Sequence, residues 1–239
     1  MYYLKFGTSK KFIVFLHGWG ADKNSFLWTK NYFEEYSLIY VDFPGFGNSK
    51  EPDTVWSVFD YCVCLKNFLN QFDIEELVLV AHSFGGRVAI KFSTSFSSDY
   101  KEVKLCLIDS AGIKPRRNFR YYFKIFRFKL LKKIANKFKS GRKWLQKQGS
   151  SDYICLSQNM KEIFKRVVNE DLSFDASQIK NRTILIWGSK DKDTKPYMAR
   201  KLNKLIEGSE LYIFKGAGHY SFLERKEEFL IILDTFIKS

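Results

Sequence analysis

One stretch of the chain, residues 77–90, constrains the fold more than any other. An apolar run of strand length ends at Ala81, Ser83 follows two positions later, and Gly85 opens a stretch with the apolar spacing of a helix. This order predicts a strand, a sharp turn and a helix. In a small-x-Ser-x-Gly turn the Ser backbone is strained, because the strand and helix backbones nearly touch. The turn therefore pushes the hydroxyl of Ser83 out over the end of a sheet.

The rest of the chain predicts a sheet around this turn. A chain of 239 residues is long enough for one α/β domain with an insertion. Other apolar runs of strand length cover residues 1–6, 11–16, 37–41, 103–108, 183–187 and 210–214, and helical spacing covers 22–36, 55–72, 197–206 and 223–237. This alternation predicts a mostly parallel sheet with helices on both faces. In that architecture functional groups collect at the carboxyl ends of the strands.

Polar residues at those strand ends indicate the chemistry. All three histidines, His17, His82 and His219, lie at or just after the end of a predicted strand, and Asp191 lies in the loop after a late strand. The chain order Ser83, Asp191, His219 is the Ser-acid-His order that one fold class uses for a catalytic triad. In such a triad the His is the general base, the acid fixes its tautomer and the Ser is the nucleophile.

Five segments together resemble the α/β-hydrolase family over nearly the whole chain. In chain order they are the strand ending in His17-Gly18-Trp19-Gly20, the Asp42-Phe43-Pro44-Gly45-Phe46-Gly47 loop, the Ser83 turn, the acid loop, and Gly218-His219. The resemblance implies the α/β-hydrolase fold and a serine hydrolase. It also implies an oxyanion hole made by the backbone N–H groups of Trp19 and Phe84.

The resemblance leaves some roles open. Asp191 matches the family's Gly-x-x-Asp spacing from Gly188, but Asp193 could replace it as the acid, and Asp109 is a rarer alternative. A Ser at position 83 argues against the dehalogenases and epoxide hydrolases of this fold, which use a carboxylate nucleophile.

The residues around the nucleophile have supporting roles in this interpretation. His17, followed by Gly18, is expected to shape the oxyanion loop rather than transfer protons, because His219 already serves as the base. His82 either lines the pocket or packs in the core. Gly85 gives the turn the room it needs.

A second informative stretch is an insertion of about seventy residues that the hydrolase core does not need. In this family such an insertion is a helical cap over the pocket, so the core is expected at 1–112 and 180–239 and the cap at 113–179. Fourteen Lys and Arg residues and no acidic residue lie between Asp109 and Asp152, a charge equal to the chain's net +14. This basic patch includes Arg116, Arg117, Arg120, Lys124 and Arg127.

A basic, aromatic cap has more than one interpretation. Charge runs are often only a solvated helix face. Alternatively, the cap attracts an acidic acyl carrier protein, or an anionic membrane surface that holds a lipid-derived ester. The His17-Gly18-Trp19-Gly20 and Asp42–Gly47 segments are similar to the pimeloyl-carrier methyl ester esterases of biotin synthesis, although many other hydrolases share them. Nucleic acid has no role at a serine hydrolase site.

The sequence thus predicts a cytoplasmic serine hydrolase of bacterial origin that cleaves a carboxylic ester or thioester, small or carrier-linked, through an acyl-enzyme. The longest apolar segment near the N-terminus, Phe12–Leu16, is too short for a secretory or membrane-spanning segment. No metal or organic cofactor is implied. The alternatives are a carbon–carbon bond hydrolase of the same fold and a non-catalytic, hydrolase-like protein that binds a ligand.

Overall fold

The computed structural model describes residues 1–116 and 156–239, and these form a seven-stranded sheet. The strands, in chain order, are β1 Tyr2–Phe6, β2 Lys11–Leu16, β3 Ser37–Asp42, β4 Glu76–His82, β5 Glu102–Ile108, β6 Thr183–Gly188 and β7 Glu210–Phe214. Their spatial order is β1-β3-β2-β4-β5-β6-β7. Only β1 pairs antiparallel within this sheet. The predicted α/β-hydrolase architecture, with a mostly parallel central sheet, is therefore confirmed.

Helices cover both faces of the sheet. In the described residues the α-helices are α1 Val58–Leu69, α2 Phe84–Phe96, α3 Gln158–Asn169, α4 Ser173–Gln178, α5 Pro196–Leu205, α6 Ser221–Glu224 and α7 Lys226–Lys238. Alternate residues of each strand point to opposite faces. Val14 of β2 accordingly joins an apolar cluster with α1, α2 and α5, whereas Ile13 and Phe15 join a second cluster with α7.

Two sequence predictions about helices were wrong. Residues 22–36 contain two short 3₁₀ helices, Lys23–Ser25 and Leu27–Thr29, in place of one long helix. Their N–H groups bond three residues back, and the Asp22 side chain accepts from the Asn24 N–H at 2.9 Å. Asn, Ser, Trp and Thr are poor α-helix formers, and the side chain of Asp22 competes for the first donors. The last predicted helix is divided at Arg225 into α6 and α7.

Helix α3, in the predicted cap, lies against the loop that follows β3. Met160 lies so close to Gly45 that a Cβ atom there would be 2.6 Å from its thioether. The Asn159 amide donates to the Pro52 carbonyl at 2.6 Å, and the Arg166 guanidinium donates to the Val55 carbonyl at 3.0 Å. The described part of the insertion therefore packs on the hydrolase core, while the domain boundaries 113–179 stay a prediction.

Candidate active site

The turn between β4 and α2 holds Ser83 in a conformation that L residues rarely adopt. Its φ is +50° and its ψ is −107°. The Ser83 N–H donates to the Ile108 carbonyl at 3.0 Å, and the Ser83 carbonyl accepts from the Ala111 N–H at 3.0 Å. The end of β5 thus holds the strained residue on both sides. Strain of this kind persists only where the surrounding structure imposes it, and it is common at active sites.

Gly85 allows α2 to touch β2 backbone to backbone. A Cβ atom at this position would overlap the Leu16 carbonyl and lie 2.9 Å from the His17 carbonyl oxygen. The Gly85 N–H donates to that His17 oxygen at 3.1 Å. The loop after β2 consequently lies beside the first turn of α2, where Phe84 begins the helix. The Phe84 N–H, at the first position of α2, has no partner within the helix, so it is available to an anion.

His17 makes the contacts of a residue that shapes this loop. Its Nε2 accepts from the Phe43 N–H at 2.9 Å, and its Nδ1 donates to the Gly18 carbonyl at 2.7 Å. Burial lowers the pKa of His17 to about 4, so the ring is neutral near pH 7. The indole ring of Trp19 packs on the ring of Phe84 with centroids 5.3 Å apart. Both predicted oxyanion donors therefore belong to residues that lie side by side.

Three strand ends bring together Ser83, His219 and Asp191. The His219 Nε2 lies 3.1 Å from the Ser83 Oγ, and the His219 Nδ1 lies 2.8 Å from the Asp191 Oδ2. Ser83 follows β4, Asp191 follows β6 and His219 follows β7. Parallel strands place their carboxyl ends at one edge of the sheet, so residues 136 apart in sequence meet there.

Asp191 has the environment of an ionised carboxylate. Thr194 donates to its Oδ2 from the hydroxyl at 2.7 Å and to its Oδ1 from the backbone at 3.0 Å, and the Asp193 N–H donates to Oδ1 at 2.8 Å. Burial raises the pKa of Asp191, but hydrogen bonds from His219 and Thr194 outweigh burial and hold it below its usual range. Near pH 7 the group is therefore an anion.

This charge determines the tautomer of His219. Because an ionised carboxylate only accepts hydrogen bonds, the His219 Nδ1 carries the proton that faces Asp191. The Nε2 then presents a lone pair to the Ser83 hydroxyl. Burial lowers the pKa of His219, but the hydrogen bond and charge of Asp191, with smaller contributions from Asp109 and Asp193, raise it above 6.5. The arrangement can accept a proton from Ser83 near neutral pH.

His82 has the surroundings of a core residue rather than a pocket lining. It is 1% exposed, and its Nε2 donates to the His219 carbonyl at 2.8 Å. Its ring centroid lies 4.9 Å from that of His219, and its Nδ1 would be 2.8 Å from a Cβ atom at Gly18. Burial lowers the pKa of His82 to about 3, so the ring is neutral and holds the backbone of the His219 loop.

Among the hydrogen bonds of the described residues, neither alternative acid is a side-chain partner of His219. Asp193 is exposed, and it contacts the site through its backbone N–H, which donates to Asp191. Asp109 is fully buried, but its carboxylate accepts from Gly188 and Ser221 rather than from His219. The geometry thus favours Asp191 as the partner of the histidine.

Sequence reasoning did not find the role of Thr194. Besides its bonds to Asp191, its hydroxyl lies 2.9 Å from the Asp109 carbonyl and 3.3 Å from the His219 Nδ1. The spacing of a Thr three residues after an Asp, at the end of a Gly-containing loop, could have suggested a local side-chain turn. It could not have shown that the turn surrounds the carboxylate of Asp191.

One described group of residues could offer ligand atoms to a metal ion. Asp191, Asp193 and His219 have ligand atoms within 4.8 Å of one another in the described residues. The Asp191 Oδ2 and the His219 Nδ1 are already bonded to each other at 2.8 Å. That the reaction needs no metal or organic cofactor stays a prediction from the sequence.

Most of the predicted basic patch lies outside the described residues, namely Arg117, Arg120, Lys124 and Arg127. Arg116 is described and exposed. Its N–H donates to the Tyr197 hydroxyl at 2.8 Å, and its guanidinium lies 5.0 Å from the centre of the Tyr197 ring. Arg116 therefore lies on the start of α5. None of the described helices is long and apolar enough to cross a membrane.

A groove of about 560 Å³ lies beside the loop that follows β2. Trp19, Phe46 and Leu156 give it an apolar wall, and Asp22 and Ser25 contribute polar groups.

Comparison with known proteins agrees with this fold. Residues 13–230 match the model of the alpha/beta hydrolase family. The AB hydrolase superfamily protein YisY of Bacillus subtilis is 25% identical over 95% of this chain and 91% of its own length. The 2-hydroxy-6-oxo-2,4-heptadienoate hydrolase of Pseudomonas putida is 22% identical over 94% of this chain and 88% of its own length. An esterase from Exiguobacterium antarcticum superimposes with a TM-score of 0.77, at 25% identity, over 100% of this chain and 95% of that one.

The chain therefore belongs to the alpha/beta hydrolase family. The family match spans β2 to α7, so it includes Ser83, Asp191 and His219. The resemblance drawn from the five sequence segments is confirmed at the level of family and fold.

Proposed function

We propose that this protein is a serine hydrolase that cleaves a carboxylic ester or thioester through an acyl-enzyme. The observation that carries the proposal is the continuous hydrogen-bonded line from Asp191 through His219 to Ser83, with distances of 2.8 and 3.1 Å. A hydrolase of this family with a strained Ser within hydrogen-bond distance of an imidazole has the parts that acyl transfer needs.

The proposed reaction has two halves, acylation of Ser83 and hydrolysis of the acyl-enzyme. The His219 Nε2 removes the proton from the Ser83 Oγ as that oxygen attacks the carbonyl carbon. The negative charge that develops on the carbonyl oxygen is stabilised by the N–H groups of Phe84 and Trp19. The protonated His219 then gives its proton to the leaving alcohol or thiol. Water, deprotonated by His219, attacks the acyl-enzyme, and Ser83 leaves with the proton.

The groove beside Trp19 supports an apolar group on the substrate. Its wall of Trp19, Phe46 and Leu156 is adjacent to the proposed oxyanion donors. Part of an ester bound to Ser83 would remove this aromatic surface from water, which favours binding.

The test is turnover of short-chain p-nitrophenyl esters, with labelling by a fluorophosphonate. The wild type is expected to hydrolyse the esters and to be labelled, and Ser83→Ala is expected to lose both properties with its nucleophile. Ser110→Ala is a matched control, since both residues are serines beside the strand ends and the Ser110 hydroxyl donates to the Ala111 carbonyl at 2.8 Å. Retained turnover in Ser83→Ala would contradict the proposal. Absent turnover with tight binding of a ligand would favour a non-catalytic binding protein.

A carbon–carbon bond hydrolase is the second candidate function. The similarity to the Pseudomonas putida hydrolase over 94% of this chain favours it. Both reactions use the same fold and the same Ser, so the Ser83→Ala result does not separate them. A 2-hydroxy-6-oxo-2,4-dienoate offered in parallel with the esters does. A specificity constant at least about tenfold higher for the dienoate would replace the ester proposal.

For delivery of the substrate, we propose an acidic carrier protein that docks on the basic patch. The fourteen basic residues between Asp109 and Asp152 carry the proposal, because a patch of one sign raises the encounter rate with an oppositely charged partner. Charge reversal at Arg116, Arg117 and Arg120 is expected to weaken binding of an acyl carrier protein at low salt. Unchanged affinity would contradict docking. Binding to anionic vesicles in place of the carrier would identify a membrane surface as the partner.

A further inference from the structure

A second carboxylate lies behind the candidate triad, and the proposed reaction gives it no role. Asp109 directly follows β5, is 0% exposed and has a φ of +43°. Along with Ser83 it is one of two non-glycine residues with a positive φ in the described part of the chain. A left-handed backbone and a fully buried carboxyl group are both unfavourable, so contacts at this position must impose them.

Asp109 is bonded to the loop that carries Asp191 and to the loop that carries His219. Its Oδ1 accepts from the N–H of Gly188, three residues before Asp191, at 2.8 Å. Its Oδ2 accepts from the N–H and the hydroxyl of Ser221, two residues after His219, at 3.0 and 2.6 Å. One carboxylate thus joins the start of the acid loop to the end of the histidine loop.

The position requires a carboxylate. Donors face both of its oxygens, and an amide can accept at only one of its two terminal atoms. In the described residues no Lys or Arg forms an ion pair with Asp109, so three hydrogen bonds are its stabilising contacts. Burial raises its pKa to about 7, against the effect of those bonds. A buried group with this cost is weak evidence for a role in stability.

The loops joined by Asp109 also meet through Thr194. The Thr194 hydroxyl lies 2.9 Å from the Asp109 carbonyl and 2.7 Å from the Asp191 Oδ2. The backbone and side chain of Asp109 therefore contact both the loop of Asp191 and the loop of His219. Its carboxylate does not bond to either ring nitrogen of His219.

We propose that Asp109 is a positioning residue for catalysis, which aligns Asp191 and His219 by accepting hydrogen bonds from both of their loops. The inference rests on the proposed serine hydrolase function. Without the carboxylate, the two loops move independently, and the His219 Nε2 loses its alignment with the Ser83 hydroxyl. A misplacement of about 1 Å at a reacting group can cost about 100-fold in rate.

The test is Asp109→Asn, which keeps the side-chain volume and removes one acceptor. The value of kcat for p-nitrophenyl acetate is expected to fall about 10- to 100-fold, with KM within about twofold of the wild type, because alignment and not binding is changed. The rate of fluorophosphonate labelling at Ser83 is expected to fall in proportion. Assays run well below the melting temperature of each variant separate this loss from unfolding.

A milder pair of variants keeps the test decisive if Asp109→Asn does not fold. Ser221→Ala removes one of the two bonds to the Asp109 Oδ2, and kcat is expected to fall about three- to tenfold. Ser110→Ala is its control, since both serines are 0% exposed and the Ser110 hydroxyl donates to its neighbour Ala111 instead. In a double variant the effects of Asp109→Asn and Ser221→Ala are expected to be non-additive, because they break the same contact.

The outcomes separate this inference from the proposed function. A wild type that is neither active nor labelled contradicts the serine hydrolase itself. A wild type that is active and labelled, with kcat unchanged in Asp109→Asn and Ser221→Ala, overturns the positioning role and leaves the hydrolase standing. Melting temperatures that fall while kcat stays constant also overturn it, because they show a residue that only stabilises the fold.

Discussion

The two halves of the candidate site are held by different kinds of contact. On the Ser83 side, backbone hydrogen bonds hold Ser83, and the backbones of β2 and α2 touch at Gly85, so steric exclusion fixes how closely these elements pack. On the His219 side, buried polar groups determine it, through the hydrogen bonds of His82, Thr194 and Asp109. Steric contact tolerates no added atom, whereas a hydrogen bond can be weakened in steps. Changes on the first side should destroy the site, and changes on the second should misalign it.

The largest effect is expected from Gly85→Ala. The added methyl group would overlap the Leu16 carbonyl, so β2 and α2 must separate. We expect destabilisation of at least about 3 kcal/mol and no detectable esterase activity, measured by urea unfolding and p-nitrophenyl ester turnover.

Gly208→Ala is the control for this change. Gly208 has a positive φ, +71°, but a Cβ atom there would meet nothing within 4 Å. Only backbone strain of about 1 kcal/mol is expected, with full activity. Equal damage from both variants would show that backbone conformation, and not the closeness of β2 and α2, controls the Ser83 side.

The next largest effect is expected from Asp191→Asn. The amide can donate to the His219 Nδ1 and so favours the wrong tautomer, with a loss of about 10³- to 10⁴-fold in kcat for p-nitrophenyl esters. Asp193→Asn should stay within about threefold, because its side chain is exposed and its backbone N–H makes the contact with Asp191. The reverse order of losses would make Asp193 the acid.

A smaller effect is expected from Thr194→Val. The substitution keeps the shape of the side chain and removes the hydroxyl that donates to the Asp191 Oδ2 at 2.7 Å. We expect kcat to fall about three- to tenfold, which corresponds to the net value of about 1 kcal/mol for a typical hydrogen bond. Thr183→Val is matched in residue type and burial, and its hydroxyl bonds the Asn181 carbonyl away from the site, so its kcat should not change. Equal kcat values for Thr194→Val and Thr183→Val would show that Thr194 does not help to hold the His219 side of the site.

The smallest change is a displacement of the pH profile. Burial lowers the pKa of His219, but the hydrogen bond and charge of Asp191 raise it above its ordinary value of 6.5. The neutral base therefore forms only as the pH rises through this raised pKa. The acid limb of kcat/KM should have its midpoint above pH 6.5 in the wild type. In Asp191→Asn the opposing effect of burial remains, and the residual activity should show a midpoint shifted to lower pH. Identical midpoints would mean that the ion pair does not control His219.

The fold was predictable because its signals are local. Each strand of the parallel sheet is a short apolar run, and the Ser83 turn is visible in five consecutive residues. The segment 22–36 was not predictable in the same way. Its aromatic residues have helical spacing, but Phe26 and Phe33 are buried against the sheet in a segment of 3₁₀ helices and turns, so tertiary packing overrides the spacing.

The site was predictable in its three main members and not in the contacts that hold them. Ser83, Asp191 and His219 follow strands and appear in a known order. The bonds of Asp109 to Gly188 and Ser221 join residues 79 and 112 positions apart, and they depend on where the ends of β5, β6 and β7 fall in the sheet. No pattern in the sequence shows how the ends of β5, β6 and β7 align, so the sequence predicted Asp109 only as an alternative acid.

The three histidines give this protein two separate responses to acid. Protonation of His219 is reversible, so activity of the proposed hydrolase that is lost in this way should return when the pH is restored. His17 and His82 are neutral in the core with pKa values of about 4 and 3, below the 6.5 of an unfolded chain. Unfolded molecules therefore bind more protons, and the free energy of unfolding falls as the pH drops below 6.5. Brief exposure to acid should inactivate the protein reversibly, and long exposure should unfold it.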